Sequence, residues 1–588
     1  MNSQKIKKHI KQKRIVAWSI FLLVLITINS IVIGIRMGVY EDSFGDSFIF
    51  LLNKIYLDNF LKQPPLLLGV LVFVGYIALN RTIADSLIGA IKTSIGVILL
   101  SIGSGVIIQM AKPVFSNIQK IGGKEIVPLD PYFGMASAGD FLDKAISITN
   151  KYSIWISYAF LGGFFINIML VVFKRWTNVH SIMITGHIMI QQATLITAFL
   201  YFLLFRNSPL IDEKVSVGNE IGMVVMSSLI LGIYWGVASS STIKSTNKIT
   251  DNANFAIGHQ QMLGIGLVYF LSNKLGKKIK SDSAENRILP KKFKIFEDNI
   301  FTQSSILLIL FTILMSIIII YNPGDKTINL KEKSIFVGEL KDWNVLPNAH
   351  FSLNIIFGVL KIVAGLLAMI TGVRMFVTEL QQSFQGLSEK IIPNSIVAVD
   401  IAATYGFAPN SVTYGFISGT LGQFLAMFFV IGLSQIKGLP ISITIPLFIT
   451  LFFNSGAMGI YANASGGYKM AIIMPFIIGF VEVLVISLAL GLISSLSLEN
   501  SSMMNKKLTP ITQGYNGMAD WNLFFGLVLL MGSNYVVAGW IVIWIVLFTL
   551  IIFGQIMDTT MQTKKTFLQS LLKISPTLLK TNNKEKGE

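Results

Sequence analysis

The chain contains no cysteine and little charge. Of its 588 residues, 13% are charged and 53% are hydrophobic, whereas about 25% of the residues in ordinary soluble domains are charged. Without cysteine there is no disulfide, no thiolate metal site and no cysteine nucleophile, and the zero count fits either redox compartment. The sequence also lacks a GxxxxGK[ST] phosphate loop, so the chain is not by itself an ATP-driven pump.

Long uncharged runs are what the sequence has in abundance. Mean hydropathy is +0.67, and uncharged runs of about 20 residues, long enough to cross a bilayer, recur along the chain. We predict an all-α polytopic membrane protein with spans near 15–37, 64–80, 88–109, 152–174, 180–205, 219–240, 301–321, 351–371, 409–434, 441–462, 468–495 and 531–556. Polar or prolyl interruptions in 253–272 and 391–405 predict re-entrant or broken helices. The polar segments near 110–150 and 322–350 are predicted to be loops.

The net charge of +17 could suggest a nucleic-acid partner, but the basic residues flank hydrophobic runs. They concentrate in three regions: Lys5–Arg14, Lys274–Lys294 and Lys564–Lys580. The positive-inside rule places these regions, and with them both termini, in the cytoplasm. The pattern therefore predicts a multi-pass protein of the cell membrane that binds no nucleic acid.

The first span, 15–37, allows two interpretations, a cleaved secretory signal or an uncleaved helix. Its apolar run is long for a signal, and RMGVYEDS lacks a small-x-small site, so an uncleaved helix is favoured. The amphipathic segment 47–61 is predicted to lie along the outer interface.

Two histidines lie inside uncharged apolar stretches, and each has glutamine close by. His187 and Gln191 are four residues apart in ITGHIMIQQATLI, and His259 precedes Gln260 in FAIGHQQMLGIG. In a helix, residues four apart share one face. Such groups without partners in hydrocarbon are costly, so we favour a site for a polar solute over plain helix-to-helix hydrogen bonds.

Asp400 is another polar residue in an apolar stretch, NSIVAVDIAATYGFAPNSV. An aspartate at the centre of a membrane helix costs about 2.5 to 3.5 kcal/mol. It would accept hydrogen bonds from a solute or bind a proton; the alternative is that it caps a helix break near Pro393. By contrast, Arg374 and Glu379 are predicted to be interfacial and structural, and the small-xxx-small spacing that starts at Gly415 predicts close helix packing.

Several motifs together resemble the membrane permease, component IIC, of the L-ascorbate-type phosphotransferase system. They are TGHIMIQQATLI (185–196), GHQQ (258–261), GVRMFVTEL (372–380), AVDIAATYGFAPNSVTYGF (398–416) and GMADW (517–521). The resemblance runs in order from about residue 46 to 557. It divides the chain into a basic segment with an extra helix (1–45), a permease domain (46–557) and a basic cytoplasmic tail (558–588).

The resemblance implies about 11 transmembrane helices besides the extra N-terminal one, in a homodimer. Each subunit would have a scaffold domain for dimerisation and a substrate-carrying core built from inverted repeats. Soluble A and B components would be the partners, and the B component would phosphorylate an L-ascorbate-like solute from a phosphocysteine. The family's solute site maps onto Ser104, Tyr132, His187, Gln191, His259, Gln260 and Asp400. No cofactor, metal or phosphoryl-carrying residue in this chain is implied.

Pro131 departs from the family pattern, which has threonine before the tyrosine. Proline lacks a hydroxyl and a backbone donor, so the expected solute is L-ascorbate or, if Pro131 alters the preference, a different sugar acid or a polyol. A proton-coupled secondary transporter that uses Asp400 and the histidines is the main alternative. An intramembrane enzyme is a third class, but no nucleophile is evident beside either histidine.

Overall fold

The computed structural model describes most of the chain. It covers residues 2–51, 54–56, 64–122, 126–145, 151–205, 217–287, 299–321, 336–346, 348–391, 395–496, 511, 514–522 and 536–578. The helices are α1 Asn2–Val39, α2 Phe44–Phe50, α3 Pro64–Ala78, α4 Ile83–Gly122, α5 Pro131–Ala145, α6 Lys151–Val172, α7 Lys174–Thr177, α8 Gly186–Phe205, α9 Val217–Ile249, α10 Met262–Ile279, α11 Asn299–Tyr321, α12 Phe351–Ile391, α13 Pro409–Leu433, α14 Ser455–Gly466, α15 Tyr468–Leu496, α16 Val536–Ile556 and α17 Phe567–Leu571. The strands are β1 Ile126–Leu129, β2 Ser181–Met183, β3 Ala256–Gly258, β4 Ile396–Asp400 and β5 Ile443–Pro446.

The helices confirm a polytopic membrane protein. Nine of the described helices contain a stretch that is long and apolar enough to cross a bilayer: α1, α6, α8, α9, α11, α12, α13, α15 and α16. Leucine, isoleucine and phenylalanine side chains on their outer faces are exposed, as expected where lipid is the surrounding medium. The predicted total of helices stays a prediction.

Two segments differ from the sequence-based expectation. The expected span at 441–462 is instead β5, a π-helical turn at Thr450–Asn454 and the short helix α14. The expected loop at 110–150 contains the end of α4, β1 and α5. Both predictions were wrong because hydropathy does not detect short buried elements whose polar groups are satisfied by neighbouring chain. Much of 47–61 and of 322–350 lies outside the described residues.

Five short strands form two small parallel sheets inside the helical bundle. β1 pairs with β5, and β4 lies between β2 and β3. Gly258 of β3 is level with Asp400 of β4, so these two strands end together. The segment 253–272, where an interruption was expected, contains β3 and the start of α10. The described part of the other segment, 391–405, contains β4 and most of a 3-10 helix, Ile401–Phe407. Parallel strands end at the same edge of a sheet, which brings the following residues together.

The helices pack in two groups. One group consists of α3, α4, α11 and α12, which pack mainly on one another. The other consists of α5, α6, α8, α9, α10, α13, α14 and α15, which pack on one another and around the strands. We call these the α4/α12 group and the strand group. Their boundary passes along α8 and α12 and along α4 and α5. A cavity opens at this boundary.

Close packing fixes α13 within the strand group. A Cβ on Gly415 would lie 2.5 Å from the Ser455 carbonyl oxygen and 2.7 Å from the Gly459 Cα. Glycine at these positions lets the backbones of α13 and α14 approach. The close packing predicted from the spacing of small residues in α13 is confirmed.

Candidate functional site

The cavity has a volume of about 610 Å³, within the range of small-molecule sites. Residues that follow the carboxyl ends of all five strands line it. They are Pro131 and Tyr132 after β1, His187 and Gln191 after β2, His259 and Gln260 after β3, Ile401 and Ala402 after Asp400 at the end of β4, and Ile449 and Phe452 after β5. The structure therefore brings together six of the seven predicted site residues. Ser104 lies on α4, and its side chain is outside the described part of the structure.

His187 and Asp400 form a hydrogen bond in the cavity wall. His187 Nε2 lies 2.9 Å from Asp400 Oδ2, and both side chains keep some exposure to the cavity. The other carboxylate oxygen, Oδ1, accepts a hydrogen bond from the Ala402 N–H at 2.9 Å. Asp400 thus lies at the end of β4 and caps the 3-10 helix. It does not lie at the centre of a helix, as expected from the sequence. The cap, one of the two alternatives that the sequence left open, is present, and the same side chain lines the cavity.

The glutamines are held by a chain of amide hydrogen bonds. Trp235 Nε1 donates to Gln192 Oε1 at 2.6 Å, and Gln192 Nε2 donates to Gln260 Oε1 at 3.0 Å. Gln260 Nε2 then donates to Gln191 Oε1 at 2.6 Å. An indole N–H can only donate, so Trp235 sets the direction of the whole chain. At its end, Gln191 lines the cavity, and its side chain is within hydrogen-bonding reach of the Tyr132 hydroxyl.

His259 is buried behind the cavity surface. Its Nδ1 accepts a hydrogen bond from the Gln261 N–H at 3.2 Å, so a neutral ring carries its proton on Nε2. Tyr132 is 4% exposed, at the start of α5, and its backbone N–H donates to Asp130 Oδ1 at 2.9 Å. Proline at the first position of a helix needs no donor, which makes Pro131 compatible with this start of α5.

The GMADW motif fixes α10, which follows His259 and Gln260. Asp520 accepts hydrogen bonds from the Leu263 N–H and the Gly264 N–H, each at 2.8 Å, and from Tyr234 Oη at 2.7 Å. A carboxylate at a helix N-terminus satisfies donors that have no partner within the helix. Met518 of the same motif lines the cavity. The motif therefore positions the β3–α10 part of the site.

An aromatic cluster forms the apolar wall of the cavity. Phe416, Phe452, Phe453 and Tyr405 all line it, and the rings of Phe416 and Phe452 meet edge to face with centroids 5.3 Å apart. Tyr405 Oη donates to the Phe453 carbonyl at 3.1 Å, which ties this wall to the 3-10 helix after Asp400. One side of the cavity is polar and the other is apolar, as suits a small solute with polar groups.

Sequence reasoning missed several residues of the site. Gln260 is held by Gln192 and Asn516, and Gln192 is held in turn by Trp235. Nothing in the local sequence of these residues indicated the contacts. Arg374 lines the cavity, although the sequence suggested a purely structural role. Glu379, on the same helix, is buried and accepts a hydrogen bond from Tyr76 Oη at 2.6 Å.

Comparison with known proteins places this architecture in a family. The family model described as "PTS system sugar-specific permease component" (EIIC-GAT) matches residues 59–507. The chain is 45% identical to the "Ascorbate-specific PTS system EIIC component" of Mycoplasma pneumoniae (strain ATCC 29342 / M129 / Subtype 1), over 98% of this chain and 99% of that protein. The match covers most of the N-terminal 45 residues as well. The chain therefore belongs to the sugar-specific permease components of the phosphotransferase system.

Proposed function

We propose that this permease component takes up L-ascorbate and that a soluble B component phosphorylates it. The observation that carries the proposal is the cavity itself, in which Tyr132, His187, Gln191, Gln260 and Asp400 present polar groups to one small space. The Mycoplasma relative is ascorbate-specific by name. The hydroxyls of a sugar acid need both donors and acceptors, which amide, carboxylate and imidazole groups supply.

The cavity and its position between the two helix groups support group translocation. The polar residues belong to the strand group, whereas α12 belongs to the other helix group, so movement between the two groups would carry the solute across. With no cysteine in the chain, the phosphocysteine belongs to the B component. A phosphate adds a charge of about −1.5 to −2, which makes the product a poor ligand beside Asp400.

The orientation that we propose puts both termini in the cytoplasm. Lys244, near the end of α9, pairs with Asp558, just after α16, at 2.6 Å, so these two ends share a side. Lys277 and Lys278 lie in the last turn of α10. The ends of α10 and α14 are close together, since a Cβ on Gly276 would lie 2.5 Å from the Gly466 Cα. Basic residues at these ends support a cytoplasmic location.

Domain organisation and partners complete the proposal. Residues 1–45 would be an addition to the permease domain at 46–557, and 558–588 a cytoplasmic tail. In support, the described side chains of α1 are mostly exposed, and the family match begins at residue 59. The working unit would be a homodimer in the bilayer, with the strand group as the substrate-carrying core and soluble A and B components as partners.

Titration calorimetry on the purified protein tests the substrate and the site. L-ascorbate should bind, and His187→Ala, Gln191→Ala and Gln260→Ala should each weaken binding about 5- to 150-fold, because a polar contact is lost from a desolvated site. Pentitols and other sugar acids, titrated in parallel, would show whether Pro131 alters the preference. Unchanged affinity in all three variants would place the site elsewhere.

A further inference from the structure

The cavity carries one permanent cation, and the family-derived site gives it no role. Arg374 on α12 lines the cavity together with Leu367 and Ile370 of the same helix. Among the described lining residues it is the one lysine or arginine. A guanidinium is charged at every physiological pH. Its side chain is exposed and lies near the end of the apolar stretch Phe351–Phe376, so it can reach a charged solute in the cavity.

The described acids near Arg374 already have other partners. Asp400 is paired with His187 and caps the 3-10 helix. Glu379, further along α12, accepts from Tyr76 and pairs with Lys92 at 3.3 Å. The Arg374 guanidinium makes no ion pair or hydrogen bond with another residue that the structure describes. The guanidinium is therefore available to pair with an anion in the cavity.

The charges that line the cavity support the same conclusion. Asp400 is the one carboxylate among the described lining residues and is hydrogen-bonded to His187, whereas Arg374 adds a positive charge on a different helix. A neutral solute would leave the guanidinium without a charged partner, whereas an anion would pair with it. An anion gains a charge-assisted hydrogen bond from Arg374 that a neutral analogue does not gain.

We propose that Arg374 pairs with the charged oxygen of the bound sugar acid and makes the site select anions over neutral polyols. The inference rests on the proposed function, since it concerns the same cavity. Arg374 belongs to the α4/α12 group, whereas the other polar groups of the lining belong to the strand group. The bound anion thus joins the two groups and holds them together while the solute occupies this position.

Two ligands with the same carbon skeleton and different charge test the assignment. L-ascorbate is an anion at neutral pH, and dehydroascorbate is neutral. Both would be titrated into purified full-length wild type, Arg374→Gln, Arg374→Lys and the control Arg81→Gln. Arg81 lies just after α3 and donates to Gln382 Oε1 at 3.1 Å, so the control removes the same charge away from the cavity.

Wild type should prefer ascorbate. In Arg374→Gln, ascorbate affinity should fall about 10- to 150-fold, as expected for a lost charge-assisted hydrogen bond, with little change for dehydroascorbate. Arg374→Lys should show a smaller loss, also confined to ascorbate, and Arg81→Gln should show none. If gel filtration shows that Arg374→Gln does not fold, Arg374→Lys decides the matter.

The possible failures can be told apart. If wild type binds ascorbate and the Arg374 variants keep its affinity, or lose both ligands equally, the assignment of Arg374 is overturned and the proposed function stands. If wild type binds a neutral polyol but not ascorbate, the proposed substrate and the role of Arg374 both fall.

Discussion

His187 Nε2 lies 2.9 Å from Asp400 Oδ2, which joins the first turn of α8 to the end of β4. This contact joins two of the polar side chains that line the cavity. Because His187 donates to one carboxylate oxygen and the Ala402 N–H to the other, the carboxylate is fixed in position. A solute in the cavity would therefore contact a carboxylate whose position is fixed.

Asp400→Asn should separate this charge from the cap. The amide oxygen of asparagine can still accept from the Ala402 N–H, so the melting temperature in detergent should change little. The charge that attracts His187 is lost, and ascorbate affinity should fall about tenfold or more. Asp282→Asn, which removes a surface acid that pairs with Arg287, is the matched control. A strongly destabilised Asp400→Asn protein with normal affinity would show that Asp400 is only a cap.

Trp235→Phe should weaken solute binding without any direct contact being lost. Trp235 does not line the cavity, but its N–H directs the amide chain through Gln192 and Gln260 to Gln191. Without that donor the Gln192 amide can reverse, and the orientation of Gln191 is no longer fixed. We expect affinity to fall about 2- to 10-fold.

The control for that experiment is Trp343→Phe. Trp343 Nε1 donates to the Met110 carbonyl at 2.8 Å, and its side chain is also fully buried, but it lies outside the cavity lining. Both variants lose one buried indole hydrogen bond, so their stabilities should fall similarly. If both also bind solute equally well, Trp235 is not a positioning residue.

The spacing of polar residues predicted part of this site, but long-range pairing did not follow from it. His187 and Gln191 do share a face of α8, because a period of 3.6 residues can be read from the chain. Asp400 was placed at a helix centre, since hydropathy could not distinguish a short central strand from a helix. Gln192 was passed over beside Gln191, because its partners Trp235 and Gln260 are distant in sequence.

Gly415→Ala should destabilise the strand group. The added methyl would lie 2.5 Å from the Ser455 carbonyl oxygen, and overpacking of this kind costs about 1–3 kcal/mol. On the same helix, a methyl added at Gly432 would have no neighbouring atom within 4 Å, so Gly432→Ala should leave stability unchanged or slightly raised. Thermal unfolding in detergent measures both. Equal melting temperatures would contradict close packing at Gly415.

The Lys244–Asp558 pair should give the C-terminal tail a pH-dependent attachment. Burial raises the pKa of Asp558, but hydrogen bonds from Lys244, the Thr560 N–H and Thr577 outweigh burial and hold the pKa below its usual value. A lowered pKa in the folded state stabilises the fold above the unfolded-state pKa, and this stabilisation is lost as pH falls through the folded-state pKa.

Wild type should therefore melt at a higher temperature than Asp558→Asn at pH 7, and the difference should shrink as the pH is lowered below about 4. Hydrogen exchange in residues 557–577 should rise in the variant at pH 7, since the tail loses its contact with α9. A melting difference that stays constant from neutral to acidic pH would contradict this role for the charge of Asp558.

Transport into vesicles tests group translocation most directly. Vesicles that contain this protein alone should show at most slow exchange of L-ascorbate, with no response to a pH gradient. With the soluble phosphotransferase components and phosphoenolpyruvate inside, they should accumulate phosphorylated solute. Accumulation of unmodified solute, driven by an imposed pH gradient and abolished by Asp400→Asn, would contradict group translocation and identify a proton-coupled transporter instead.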